Sequence, residues 1–139
     1  MARNEHLPIY KAAYDLCLWL EQVVRRFSRY HKYAIGSDLR EGSRRILRLV
    51  VRANARTDKT PVLLELREEV EELKAMIRLC HDAQGFNGIA AFEHGARLVV
   101  EIAKQNEGWL RSQRAHVQGR GQNRSAALQE AAEHSPSAP

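Results

Sequence analysis

The residues best placed to do chemistry are six arginines in the stretch GSDLREGSRRILRLVVRANAR, from Gly36 to Arg56. At about 100° per residue, Arg40, Arg44, Arg48, Arg52 and Arg56 fall in a row down one side of a helix, with Arg45 beside them. Leu39, Ile46, Leu47, Leu49, Val50 and Ala53 gather on the other side, and only Asp38 and Glu41 offer local counter-charge. Like charges at i,i+4 repel by roughly 0.2–0.5 kcal/mol per pair, so the row weakens the isolated helix. A charge run is ordinarily a solvated face. One sign and one residue type throughout point instead to a surface for anions, with nucleic acid the favoured anion. Arginine suits that task because its planar fork holds a phosphate through two hydrogen bonds.

A second basic group precedes the row. Arg25, Arg26, Arg29 and Lys32 crowd the end of an earlier helical pattern. Cations there complement the helix dipole, and the group lies close enough in sequence to share a surface with the arginine row. Tyr30 and Tyr33, flanking His31 and Lys32, are the only aromatics interleaved with positive charge in the expected turn, an arrangement suited to stacking on bases. Tyr10, Tyr14, Phe27, Phe92 and Trp109 fit apolar core stripes better.

Other chemistries find little support. No histidine has Glu or Asp three residues before it, so the Glu-x-x-His pattern of di-metal bundles is missing. Cys17 and Cys80 are too isolated for a zinc motif, no glycine pattern resembles a phosphate loop, and Ser37, Ser43 and Ser112 show no base partner. The expectation is a non-enzymatic protein with no catalytic residue, metal or cofactor.

The charge distribution agrees. The chain has 139 residues and a net charge of +5, but residues 1–60 carry 13 Lys/Arg against 6 Asp/Glu, and residues 61–139 carry 9 against 11. The basic character belongs to the first half. The start MARNEHLP has no apolar leader segment, and no apolar stretch reaches the ~18 residues of a membrane span. Two cysteines within apolar helical patterns read as reduced core thiols. These features describe a cytoplasmic protein that does not enter a membrane.

The elements that must position these groups are helices. Residues 1–6 form a polar lead. Residues 7–112 form a domain of four helices: Leu7 to Tyr30, Gly36 to Arg56, Thr60 to His81 with Thr60 as cap and Pro61 in the first turn, and Ile89 to Ser112. Residues 113–139 lose hydrophobic periodicity and read as a disordered polar tail. Four such helices on short links predict an all-α, up-down-up-down antiparallel four-helix bundle. Gly42, inside the second helix, costs about 1 kcal/mol relative to Ala and implies close helix approach. Leu18, Trp19, Leu64, Ala75, Leu79, Leu98 and Val100 fall off the core stripes. This apolar excess predicts a homo-oligomer, most economically a closed ring. Glutamates along the third helix face the other way from its core stripe and are available to pair with the arginine row.

Two stretches carry a family resemblance. LPIYKAAYDLCLWLEQVVRRFSRYHKYAIGSDLREGSRRILRLVVRAN and EIAKQNEGWLRSQ resemble the accessory variability determinant (Avd) proteins of diversity-generating retroelements, over about residues 7–113. The better signatures are Phe27 to Gly36 and Gly108 to Ser112. A sister group, the four-helix-bundle proteins of 23S ribosomal RNA intervening sequences, carries a Ser-Ile-Pro-x-Asn-Ile-Ala-Glu-Gly-like stretch where this chain has RRILRLVVRAN. The resemblance implies a non-enzymatic, homopentameric barrel of bundles that binds the element's reverse transcriptase and RNA or DNA, supporting adenine-mutagenic copying of a template repeat and retrohoming. It places the binding surface at Arg25, Arg29, Lys32, Arg40, Arg44, Arg48 and Arg52. On that reading, Arg44→Glu with Arg48→Glu abolishes nucleic-acid binding while leaving the oligomer intact. The rival reading is a protein–protein scaffold of the ribosomal intervening-sequence type, whose basic face docks an acidic partner.

Overall fold

The computed structural model describes residues 4–133. A single 3-10 turn, Asn4–His6, leads into α1 (Pro8–Arg25), a one-turn α2 (Arg29–Lys32), α3 (Ile35–Ala55), α4 (Thr60–Asp82) and α5 (Ile89–Glu133). All regular structure among the described residues is helical.

The four long helices pack side by side, each against the next in the chain, and α1 closes on α5. Their directions alternate. Cys17 of α1 meets Ser43 of α3, and Glu21, further along α1, meets Arg40, earlier in α3. Arg45 of α3 reaches Glu69 of α4 while the later Arg52 reaches the earlier Glu65. Arg67 holds Glu107 of α5, whereas His81 at the far end of α4 stacks on Phe92 near the start of α5. This is an antiparallel bundle. Its axis is filled by Leu16, Leu20, Leu39, Ile46, Leu63, Leu66, Leu73, Ile77, Ile102 and Leu110, all fully buried. Burial of each such side chain stabilises the fold by about 1.5–3 kcal/mol.

Two glycines allow the helices to close up. A Cβ at Gly42 would sit 3.2 Å from Leu73 Cδ1, so α3 and α4 do approach closely at the one glycine inside α3's charged half. A Cβ at Gly95 would lie 2.8 Å from the Trp19 ring. Trp19 is therefore not surplus to the bundle. It packs against α5, with Phe86 stacked at 6.1 Å and His94 tilted at 5.1 Å. Leu18, Leu64, Leu79 and Val100 do remain exposed, and so does Tyr14, which lies on Tyr10 at 6.0 Å and not in the core stripe.

The ends differ from the periodicity in three places. α1 stops at Arg25 instead of Tyr30, because the Arg26 and Phe27 amides bond back to Val23 and Val24 with the tighter i→i−3 spacing. Thr60 is the first residue of α4 and not its cap; the preceding Lys59 instead donates its Nζ to the carbonyls of Ala53, Asn54 and Arg56 at 3.0, 3.3 and 2.7 Å. One ammonium thus satisfies the orphan carbonyls that end α3. Lastly, α5 does not end at Ser112. It continues to Glu133 in place of the expected disordered segment, while residues 134–139 lie outside the described residues. Past Leu110 none of the described side chains is buried, so hydrophobic periodicity is indeed lost there. The helix persists because Ala, Gln, Glu and Arg dominate the segment and its first proline is Pro136.

Candidate nucleic-acid interface

The seven basic residues picked out by sequence divide into two groups with different surroundings. Arg40, Arg44, Arg48 and Arg52 lie along α3 as a row, as the four-residue spacing requires. Tertiary packing brings carboxylates to them that local sequence does not. Glu21 of α1 accepts from Arg44 and lies 3.8 Å from Arg40. Glu41 accepts from Arg48 at 2.8 Å and lies 3.8 Å from Arg45. Glu69 and Glu65 of α4 take Arg45 at 3.0 Å and Arg52 at 3.8 Å. Four carboxylates thus serve five guanidinium groups. The hydrogen bond that Arg45 donates to Glu69 raises the Arg45 pKa above its ordinary value. Arg48 remains the most open of these side chains at 58% exposure, and Arg40 the least at 32%. Exposed pairs of this kind contribute about 0–1 kcal/mol each, so they restrain the arginines more than they stabilise the fold.

Arg25, Arg29 and Lys32 belong to a different environment. Together with Arg26 they sit at the end of α1 and on α2, and none of the four makes an ion pair among the described residues. Residues 22–37 contain no Asp or Glu at all. The corner is held by its neighbours. Phe27 is buried and meets Phe86 edge-on at 5.5 Å. Ser28 Oγ accepts from the His31 amide at 3.4 Å, which starts the single turn of α2. Behind it, Gly36 admits the first turn of α3: a Cβ there would stand 2.7 Å from Val24 Cγ1 and 3.1 Å from the His31 carbonyl oxygen. The corner is therefore pinned between α1 and α3 while its outer side faces solvent. On that outer side Tyr30 is 82% and Tyr33 70% exposed.

Little else in the molecule invites chemistry. Among the described residues, no group of three or more His, Cys, Asp or Glu could hold a metal ion, and no helix is long and apolar enough to cross a membrane. Cys80 is a free thiol pushed up to about 11 by burial. Burial also raises Cys17, whose Sγ lies 3.2 Å from the Ser43 carbonyl oxygen it donates to. A groove of about 480 Å³ between α4 and α5 is lined by Arg67, Lys74, Lys104 and Arg111 with Glu71 and Glu107. Arg67 grips Glu107 there through bonds of 2.7 and 2.8 Å, and that guanidinium holds the Glu107 carboxyl below its ordinary pKa. At the groove's floor, buried Asn106 donates to the Leu63 carbonyl at 3.0 Å.

Sequence reasoning missed two of these features. Glu21 is the sole acid between Leu16 and Ser37, and an isolated acid opposite a cationic row was a usable signal. Asn106, a polar residue between Gln105 and Glu107, gave none. Compared with known protein families, the chain matches the model described as bAvd-like over residues 7–113. A comparison with curated proteins finds no match.

Proposed function

Since the chain belongs to the bAvd-like family, whose model covers residues 7–113, we propose that it is a non-enzymatic accessory subunit of a diversity-generating retroelement. In this role it binds the element's reverse transcriptase together with template RNA or cDNA and supports mutagenic retrohoming. The observation that carries the nucleic-acid part is the uncompensated cationic corner at Arg25, Arg26, Arg29 and Lys32. The α3 row adjoins it and supplies further guanidinium groups that a phosphate can take over from glutamate at little cost. Exposed Leu18, Leu64, Leu79 and Val100 give the protein apolar surface for self-association. Assembly into a homopentameric ring would repeat the basic surface around an axis and multiply phosphate contacts.

The mechanism is electrostatic. Each phosphate neutralised releases counterions, so affinity falls steeply with salt and depends little on sequence. Choice of template then rests with RNA shape or with the polymerase. Filter binding of the purified protein to unrelated RNA and DNA across a salt series tests this reading. Tight binding at low salt with a steep logarithmic slope is expected; no binding of any polynucleotide would overturn it. The scaffold reading draws on the pairing of the α3 arginines with glutamates. It predicts that same absence of polynucleotide binding, with the oligomer intact.

A further inference from the structure

We propose that the α1–α2 corner is a site for single-stranded nucleic acid, in which Tyr30 and Tyr33 stack on unpaired bases while Arg25, Arg26, Arg29 and Lys32 hold the adjoining phosphates. The inference rests on the nucleic-acid reading above and assigns it a strand class and a place.

Three observations converge on it. First, the two rings are among the most exposed large side chains of the protein, at 82% and 70%. A tyrosine left in water gives up the burial that usually holds an aromatic ring, and here one sits within α2 and the other caps it. Second, they are close neighbours in the chain: Tyr30 lies in α2 and Tyr33, three positions on, is the residue that caps it. The Tyr30 ring is steadied edge-on by His31, with centroids 5.1 Å apart. Third, the surrounding charge is of one sign. Four cations stand within this corner and no carboxylate occurs between residues 22 and 37.

That combination discriminates among anionic partners. An acidic protein or peptide would be served by the cations alone. A duplex presents phosphates but keeps its bases stacked inside, where a tyrosine on a convex corner cannot reach them. Unpaired bases offer open π-faces, and every base has one, so such a site tolerates any sequence. Arginine adds to it by lying over base planes as well as by pairing with phosphate. The arginine row on α3 lacks aromatic partners and has its guanidinium groups engaged, so it suits strand passage in either form. The corner is where strandedness is read.

The test uses the full-length protein and a fluorescently labelled RNA of about 20 nucleotides designed not to self-pair, with its blunt duplex as comparison. Anisotropy titrations at low salt should show the single strand bound more tightly than the duplex. Tyr30→Ala with Tyr33→Ala should weaken the single strand by about tenfold for each ring removed, at the lower end of what base stacking contributes, and leave the duplex unchanged. Tyr30→Phe with Tyr33→Phe should keep wild-type affinity, because the π-face and not the hydroxyl is used. Equal loss for both strand types, or none for either, overturns the proposal. So does a changed oligomeric mass in the alanine variant, which would make the corner a contact between copies. If the wild-type protein binds neither strand, the nucleic-acid reading itself fails, a result separable from wild-type binding that ignores the tyrosines.

Discussion

The α3 row and the α1–α2 corner are both basic, and they differ in what stands opposite them. On α3, Glu21, Glu41, Glu65 and Glu69 approach from three helices, so most guanidinium groups are already engaged. At the corner, four cations and two exposed tyrosines stand in a stretch, residues 22–37, that holds no acid, and none of the four cations makes an ion pair among the described residues. Counting arginines favours the row; counting uncompensated charge favours the corner. The comparison shows that a cationic surface is defined by its unpaired remainder. A periodic row of arginines can be as much a device for setting helix register as a place for ligands.

The sharpest way to break this comparison is to strip the corner. Arg25→Gln with Arg29→Gln and Lys32→Gln should lower the salt slope for single strands by about 2, since each lost phosphate contact removes roughly 0.7. Affinity at low salt should fall about 30-fold or more, with helix content by circular dichroism unchanged. An unaltered slope would move the binding surface elsewhere, and the α3 row would be the first place to look.

Next in size is the backbone that pins the corner. Gly36→Ala forces a methyl group to within 2.7 Å of Val24 Cγ1, and overpacking of this kind costs about 1–3 kcal/mol. Thermal melts should register that loss. Binding to single strands should weaken too, as α2 shifts on α1.

A smaller effect should come from unmasking the row. Glu21→Gln with Glu41→Gln releases Arg40, Arg44 and Arg48 from their carboxylates, while Arg45 keeps Glu69. Polynucleotide affinity should then rise by a factor of about 3–10, more than for the same charge change at exposed Glu68 and Glu93. Equal gains at both pairs would mean that pairing does not restrain the row. The expectation that Arg44→Glu with Arg48→Glu abolishes binding is correspondingly moderated, because these two side chains already share their charge with Glu21 and Glu41.

The smallest effect concerns the ion pair of Arg67 on α4 with Glu107 on α5. Arg67 lowers the Glu107 pKa in the folded protein, so the pair favours folding above the ordinary carboxylate pKa of about 4.3 and is lost as pH falls through the lowered value. Stability should therefore drop slightly on acidification below about pH 4, and Glu107→Gln should flatten that limb of the pH profile. Binding by the corner at neutral pH should be untouched.

Helices were legible because their physics is local. A stripe such as Leu39, Ile46, Leu49, Val50 and Ala53 repeats at the helical period whatever packs against it, and all five are buried. Gly42 announced a close approach because a glycine inside a helix needs a reason, and Leu73 supplies it. Termini were harder. Lys59 ends α3 through three carbonyls that no local pattern links to it, and α5 outruns its hydrophobic stripe on propensity alone.

The amino-acid order by itself determined the all-helical class, the basic first half and the family, because composition and period act within a few turns of chain. Which cations remain available was decided only when the helices met. Glu21 lies 23 residues from Arg44 in sequence, and Glu69 lies 24 from Arg45. Coulombic partners are chosen by distance in space, and that distance does not exist until the bundle has closed.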